Sequence, residues 1–150
     1  MQPRSFKSKL LIAVFALVTS SSILVSLLVA QRYSNSLQQK ATADAENIAH
    51  MVALEATDKI LINDLITLQK TLDHHVSSNA SIAYIFIISN DRIMAHTFRK
   101  GVPVDLIGVN SITKDNRIST KYIFSTDKER YLDIAWPIFD GKAGVLRLGL

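Results

Sequence analysis

Apolar and polar positions change rhythm twice along this chain, which divides it into three kinds of element. Leu10 to Ala30 is an uncharged run of twenty-one residues. At about 1.5 Å per residue it can cross the roughly 30 Å hydrocarbon core of a bilayer. From Gln31 to about Val76 the chain has no Pro or Gly, and its apolar residues recur at helical spacing. Leu37, Ala41, Ala45, Ile48 and Val52 make one stripe; Leu61, Leu65, Leu68, Leu72 and Val76 make a second. Each marks one face of a helix. The pattern predicts a long helix over 31–77, with a kink, a short break or a change of partner where the stripe lapses between Val52 and Leu61.

After Ser77-Ser78-Asn79-Ala80 the pattern turns to β. Ile82 to Ile88 is a β-branched and aromatic run closed by Asn90-Asp91, and Ile93 to Phe98 follows closely enough to pair with it. Residues 99–117, with Gly101, Pro103 and Gly108, predict a long connection with a helical turn near Asp105 to Ile107. A connection of that length in a small domain is a candidate binding or lid element. Ser119 to Thr126, Tyr131 to Phe139 and Gly144 to Leu150 predict three more strands. Leu132, Ile134, Trp136 and Ile138 alternate on one of them, and Leu146, Leu148 and Leu150 on another. A three-residue loop at Asp140-Gly141 would put both rows on the helix side, with Tyr131, Asp133, Ala135, Pro137 and Arg147 opposite. The expected fold is α+β: an N-terminal transmembrane helix, then a long helix packed on a five-stranded antiparallel sheet over 82–150, with Trp136 buried on the helix side.

Charge sets the expected topology. Arg4, Lys7 and Lys9 precede the apolar run with no acidic residue among them. This predicts a cytoplasmic tail over 1–9, one inner-membrane span over 10–30 and an extracytoplasmic domain over 31–150. A cleaved signal peptide is the competing reading, but its apolar region is usually shorter and Leu28 and Ala30 match a cleavage site poorly. The whole chain carries seventeen basic and thirteen acidic residues. Without the leader the balance is nearly even, so no basic face remains for nucleic acid. The absence of cysteine excludes disulfides and thiolate metal sites. The small residues of the upper helical stripe suit helix–helix pairing, and Ser22, Ser26 and Ala30 could line two anchors. A homodimer through the long helix and anchor is expected. The alternative, a helix lying on its own sheet, is favoured for Leu61 to Val76.

No phosphate-binding glycine loop, nucleophile elbow or metalloprotease helix occurs, so neither catalysis nor a cofactor is expected. His74 and His75 are adjacent on a helix and diverge by about 100°, a poor chelating pair. His50 stands alone. His96, Tyr131 and Arg147 lead the candidate ligand contacts. His96 alternates with Met94 and Phe98; Arg147 could fork onto a carboxylate or pair diagonally with Asp133. Tyr84, Tyr122 and Arg130 are further candidates, as hydroxyl donors and a second guanidinium. A basic surplus over residues 92–130 (Arg92, Arg99, Lys100, Lys114, Arg117, Lys121, Lys128, Arg130) leans toward a small polar, anionic ligand.

Basic tail, anchor, long helix, strand pair, long loop and strand triplet together resemble the Cache or PDC class of PAS-like extracytoplasmic sensor domains. The residues that carry the resemblance are Tyr84-Ile85-Phe86-Ile87, Ile93-Met94-Ala95-His96-Thr97, Trp136-Pro137-Ile138, and Gly144-Val145-Leu146-Arg147-Leu148-Gly149. It covers about Gln31 to Leu150. The resemblance implies the input part of a bacterial receptor, such as a sensor histidine kinase or chemoreceptor, that binds a small ligand beneath residues 99–117. Such receptors continue into a second membrane helix and an output module, and this chain is expected to be the N-terminal part of one. A membrane-anchored assembly scaffold without a ligand is the alternative function.

Overall fold

A computed structural model describes residues 6–112, 115, 117–124 and 129–150. Arg4, Lys114, Asp127 and Lys128 lie outside the described residues, as does the predicted end of the third strand at Thr126. The chain forms two compact units, 1–41 and 42–150.

In the first unit the apolar run is helical and its side chains are exposed on all sides. Leu10, Leu11, Val14, Phe15, Leu17, Leu24 and Leu28 each leave more than half their surface open. Uniform apolar exposure is what a lipid-facing segment carries. The Oγ1 of Thr19 donates to the Phe15 and Ala16 carbonyls, and the hydroxyls of Ser20 and Ser21 to those of Leu17 and Val18. These bonds back to the preceding turn keep the hydroxyls satisfied inside an apolar segment. One helix is thus long and apolar enough to span a membrane.

Helix α1 spans Phe6–Leu61 and α2 spans Leu65–Ser78, so the predicted long helix is broken. The break sits just beyond the lapse in the stripe. Asn63 adopts φ +59°, a left-handed turn that Asn tolerates. Asp64 restarts the helix by accepting the Thr67 N–H at 3.0 Å. His75 Nε2 meets Glu55 Oε2 at 2.9 Å, linking α2 back to α1.

Five strands follow: β1 Tyr84–Ser89, β2 Arg92–His96, β3 Ser119–Phe124, β4 Arg130–Ile138 and β5 Gly144–Gly149. All neighbours are antiparallel, in the order β2-β1-β5-β4-β3. A short helix, α3 (Val104–Ile107), interrupts the long connection near the predicted place. The β1–β2 turn uses Asn90 and Asp91 at φ +49° and +58°, the twist a two-residue hairpin requires. The β4–β5 loop is longer than expected: Ile138 pairs with Gly144, leaving five residues rather than three. An odd number preserves parity, so Ile134 still faces Leu148 and Trp136 still faces Leu146.

The helix side of the sheet is an apolar core. Ala45, Ala49, Val52, Ala53 and Ala56 of α1 and Leu68 and Leu72 of α2 bury against Ile85, Ile87, Ile134, Leu146 and Leu148. Ala45, Ala49, Ala53 and Ala56 are therefore buried in the protomer's own core, whereas Leu37 and Ala41 of the predicted stripe are exposed. Trp136 is only half-buried. It packs at the edge of this core with His50 stacked on it at 5.1 Å between ring centroids, correcting the expectation of full burial.

Candidate functional site

The other face of the sheet is built in rows that the strand register sets. One row runs His96–Phe86–Arg147–Ala135–Ser119 across β2, β1, β5, β4 and β3. The next runs Tyr84–Gly149–Asp133–Lys121. Gly149 is required here. A Cβ on it would lie 2.2 Å from the Tyr84 ring, so only glycine lets the ring cross β5. The Tyr84 hydroxyl then donates to Asp133 Oδ2 at 2.7 Å. Burial, and after it the Asp133 carboxylate, pushes the Tyr84 phenol well above its ordinary value of 10.0.

Arg147 lies one row over, at 1% exposure, and its Nε donates to Asp133 Oδ1 at 2.8 Å, with Asp133 fully buried. This is the diagonal pairing across β4 and β5. The Arg147 Nη1 reaches beyond the sheet to the carbonyls of Leu106, Ile107 and Asn110. Three loop carbonyls on one guanidinium fix the connection 104–110 over the sheet. Asn110 completes the network: its Nδ2 donates to Asp133 Oδ1 at 2.7 Å and to the Ser119 carbonyl at 3.0 Å. Its Oδ1 accepts from the Ser119 hydroxyl at 2.7 Å. Phe86, Tyr84 and Ile123, with Phe98, Val102 and Leu106 against them, form a small apolar cluster beside it. Sequence reasoning missed Asn110. A single Asn in a loop carrying Gly and Pro is what turn chemistry places there anyway.

Among the described residues, two side-chain polar atoms are buried without a hydrogen-bond partner: Arg147 Nη2 and His96 Nδ1. Arg147 also lines a cavity of about 590 Å³ between the β1–β2 turn and the loop, with Ile88, Ile93, Ile107, Ile112 and Val145 among its walls. A larger cleft of about 690 Å³ opens on the helix side around His50, Leu54, Trp136 and Phe139. It is lined by no buried polar atom that lacks a partner. The loop-side cavity is the stronger candidate because a buried unsatisfied donor is costly unless something meets it.

The predicted site residues separate in space. His96, Tyr84, Tyr131 and Arg147 share the loop-covered face. Tyr122 and Arg130 fall on the helix side, because Tyr122 is paired with the core residue Leu132 and Arg130 shares its parity. There the Arg130 guanidinium sits 4.2 Å above the Tyr122 ring, a cation–π pair at the sheet edge. Tyr131 turns its hydroxyl to Glu129 Oε2 at 2.6 Å and its ring edge-on to Tyr84. His96 is half-buried, and its backbone N–H and carbonyl are both held by the Gln69 amide, at 3.3 and 2.9 Å. Met94 does not share its face: a register irregularity at Ile87/Ile88 sends Met94 to the helix-side core. The free carboxylate fork expected at Arg147 is largely taken up within the chain, by Asp133 and the loop carbonyls.

No protein-family model matches the chain, and no curated protein is similar enough to match it.

Proposed function

We propose that the chain is the membrane-anchored, extracytoplasmic sensory part of a receptor, similar to the PAS-like Cache domains, and that it takes a small polar ligand on the loop-covered face of its sheet. The observation that carries this reading is the buried Arg147, which grips three loop carbonyls yet keeps Nη2 unpaired beside a cavity. A ligand at that atom would act on the same group that holds the loop, so occupancy and loop position are linked. The five-stranded antiparallel sheet, with helices on one face and a long loop on the other, supports the PAS-like assignment.

In this reading the basic leader stays in the cytoplasm and residues 31–150 lie on the far side of the inner membrane. Two copies pair through the outer side of α1, where Met51, Leu54 and Leu61 are each more than half exposed, since the alanine side is already covered. Thermal-shift screening of the full chain in detergent against amino acids, carboxylates and other small polar metabolites tests the sensory function. A hit should raise the Tm and protect the 102–112 amides from hydrogen exchange. A hit whose binding is unaltered by Arg147→Ala and by His96→Ala would remove these residues from the site. Topology is tested separately: alkaline phosphatase fused after Leu150 should be active, and an inactive fusion would reverse the assigned orientation.

A further inference from the structure

The cavity beside Arg147 has an unusual balance of charge. Its one fully buried cation is already neutralised, because Asp133 holds Arg147 Nε at 2.8 Å and both side chains are excluded from water. Asp91 and Arg92 stand at the rim, one of each sign and both exposed. The Asn110 amide is spent on Ser119 and Asp133. Among the residues lining the cavity, Arg147 Nη2 is the one buried polar side-chain atom left without a partner. Apart from the exposed Ser111, the remaining wall is aliphatic: Ile88, Ile93, Ile107, Ile112 and Val145.

An anion entering this space would give up its hydration and find no unpaired buried positive charge in return, only the solvated Arg92 at the rim beside Asp91, while Asp133 would repel it from behind the guanidinium. An uncharged carbonyl or amide oxygen loses much less on entry and still satisfies Nη2. Branched aliphatic carbons suit the walls. About 590 Å³ accommodates a small metabolite with room to spare.

We infer that the cavity selects a small uncharged molecule presenting one hydrogen-bond acceptor on a branched aliphatic body, rather than an anion. This inference rests on the sensory reading above and narrows its ligand class. The test compares isovaleramide with isovalerate, which share a carbon skeleton and differ in charge, against the full chain in detergent at neutral pH. Calorimetric titration should give isovaleramide an affinity at least about tenfold higher, the scale expected for leaving a buried anion unpaired. Ile112→Trp and, independently, Ile93→Trp fill the cavity from opposite lips without touching the Arg147 network. Each should abolish isovaleramide binding while circular dichroism and Tm stay near those of the parent.

Isovalerate binding as tightly as isovaleramide would overturn the uncharged class and leave the sensory reading intact. Isovaleramide binding that survives either filled cavity would overturn the location. If neither compound binds, Nη2 is met by water alone and the inference fails, whereas the sensory reading fails only if the broader metabolite screen is also empty.

Discussion

The two faces of this sheet are sealed by different physics. On the helix side, alanines and leucines of α1 and α2 cover Ile85, Ile87, Ile134, Leu146 and Leu148 in one apolar cluster. On the loop side, a buried ion pair, an asparagine and a tyrosine tie a loop down by directed hydrogen bonds. Apolar contact is non-directional, and its cost on mutation is graded by the volume lost. A buried polar network is nearly all-or-none, since each member left alone is an unmet charge or donor. The difference suits one face to serve as scaffold and, in the proposed function, the other to respond to a ligand.

The largest expected effect breaks the polar face. Asp133→Ala strands Arg147 in the interior and should cost about 3–5 kcal/mol. It should lower the Tm and release the 102–112 amides to fast exchange. Replacing the pair together, Asp133→Leu with Arg147→Met, should recover most of that stability but leave the loop amides unprotected. A double variant whose loop remains protected would show that the loop is held by its apolar contacts alone.

On the helix face, Leu148→Ala removes a fully buried side chain and should cost about 3 kcal/mol in chemical denaturation. Trp136→Ala should cost less, about 1–2 kcal/mol, because the ring is half-buried and stacked by His50. Equal losses would place Trp136 inside the core after all.

Gly149→Ala probes the contact between the two rows of the loop face. The added methyl meets the Tyr84 ring, so the ring must shift and the Tyr84–Asp133 bond must lengthen. An expected loss of about 1–3 kcal/mol follows from such overpacking. Restoration of the lost stability by Tyr84→Ala in the same chain would identify the clash as the cause.

The pH dependence should run in opposite directions on the two faces. The Tyr84 phenol is raised in the folded state, so both states are neutral below pH 10.0 and only the unfolded one ionises above it. Stability therefore falls as pH rises past that point, and Tyr84→Phe should remove this contribution. Glu55 is held below its ordinary 4.5, chiefly by its hydrogen bond to His75, so its contribution is present above that value and fades as pH falls through the lowered one. It is half exposed, so Glu55→Gln should cost no more than about 0.5 kcal/mol.

The sequence by itself determined the elements whose signal is local. Twenty-one uncharged residues can only be a very apolar helix, alternation at Leu132 to Ile138 can only seat one face inward, and Asn90-Asp91 turns a hairpin. Strand parity also placed Arg147 and Asp133 on one face, because a period of two carries side chains to the same side for any loop with an odd number of residues. Tertiary structure decided the rest. The alanines of α1 look the same in sequence whether they meet a partner helix or their own sheet, and only the packing assigns them to the sheet. The bulge that parts Met94 from His96 arises from pairing with β1, not from any residue of β2 alone. Asn110 became part of the site because the fold carries it 23 residues along the chain to Asp133, a closure that leaves no periodic trace in the loop.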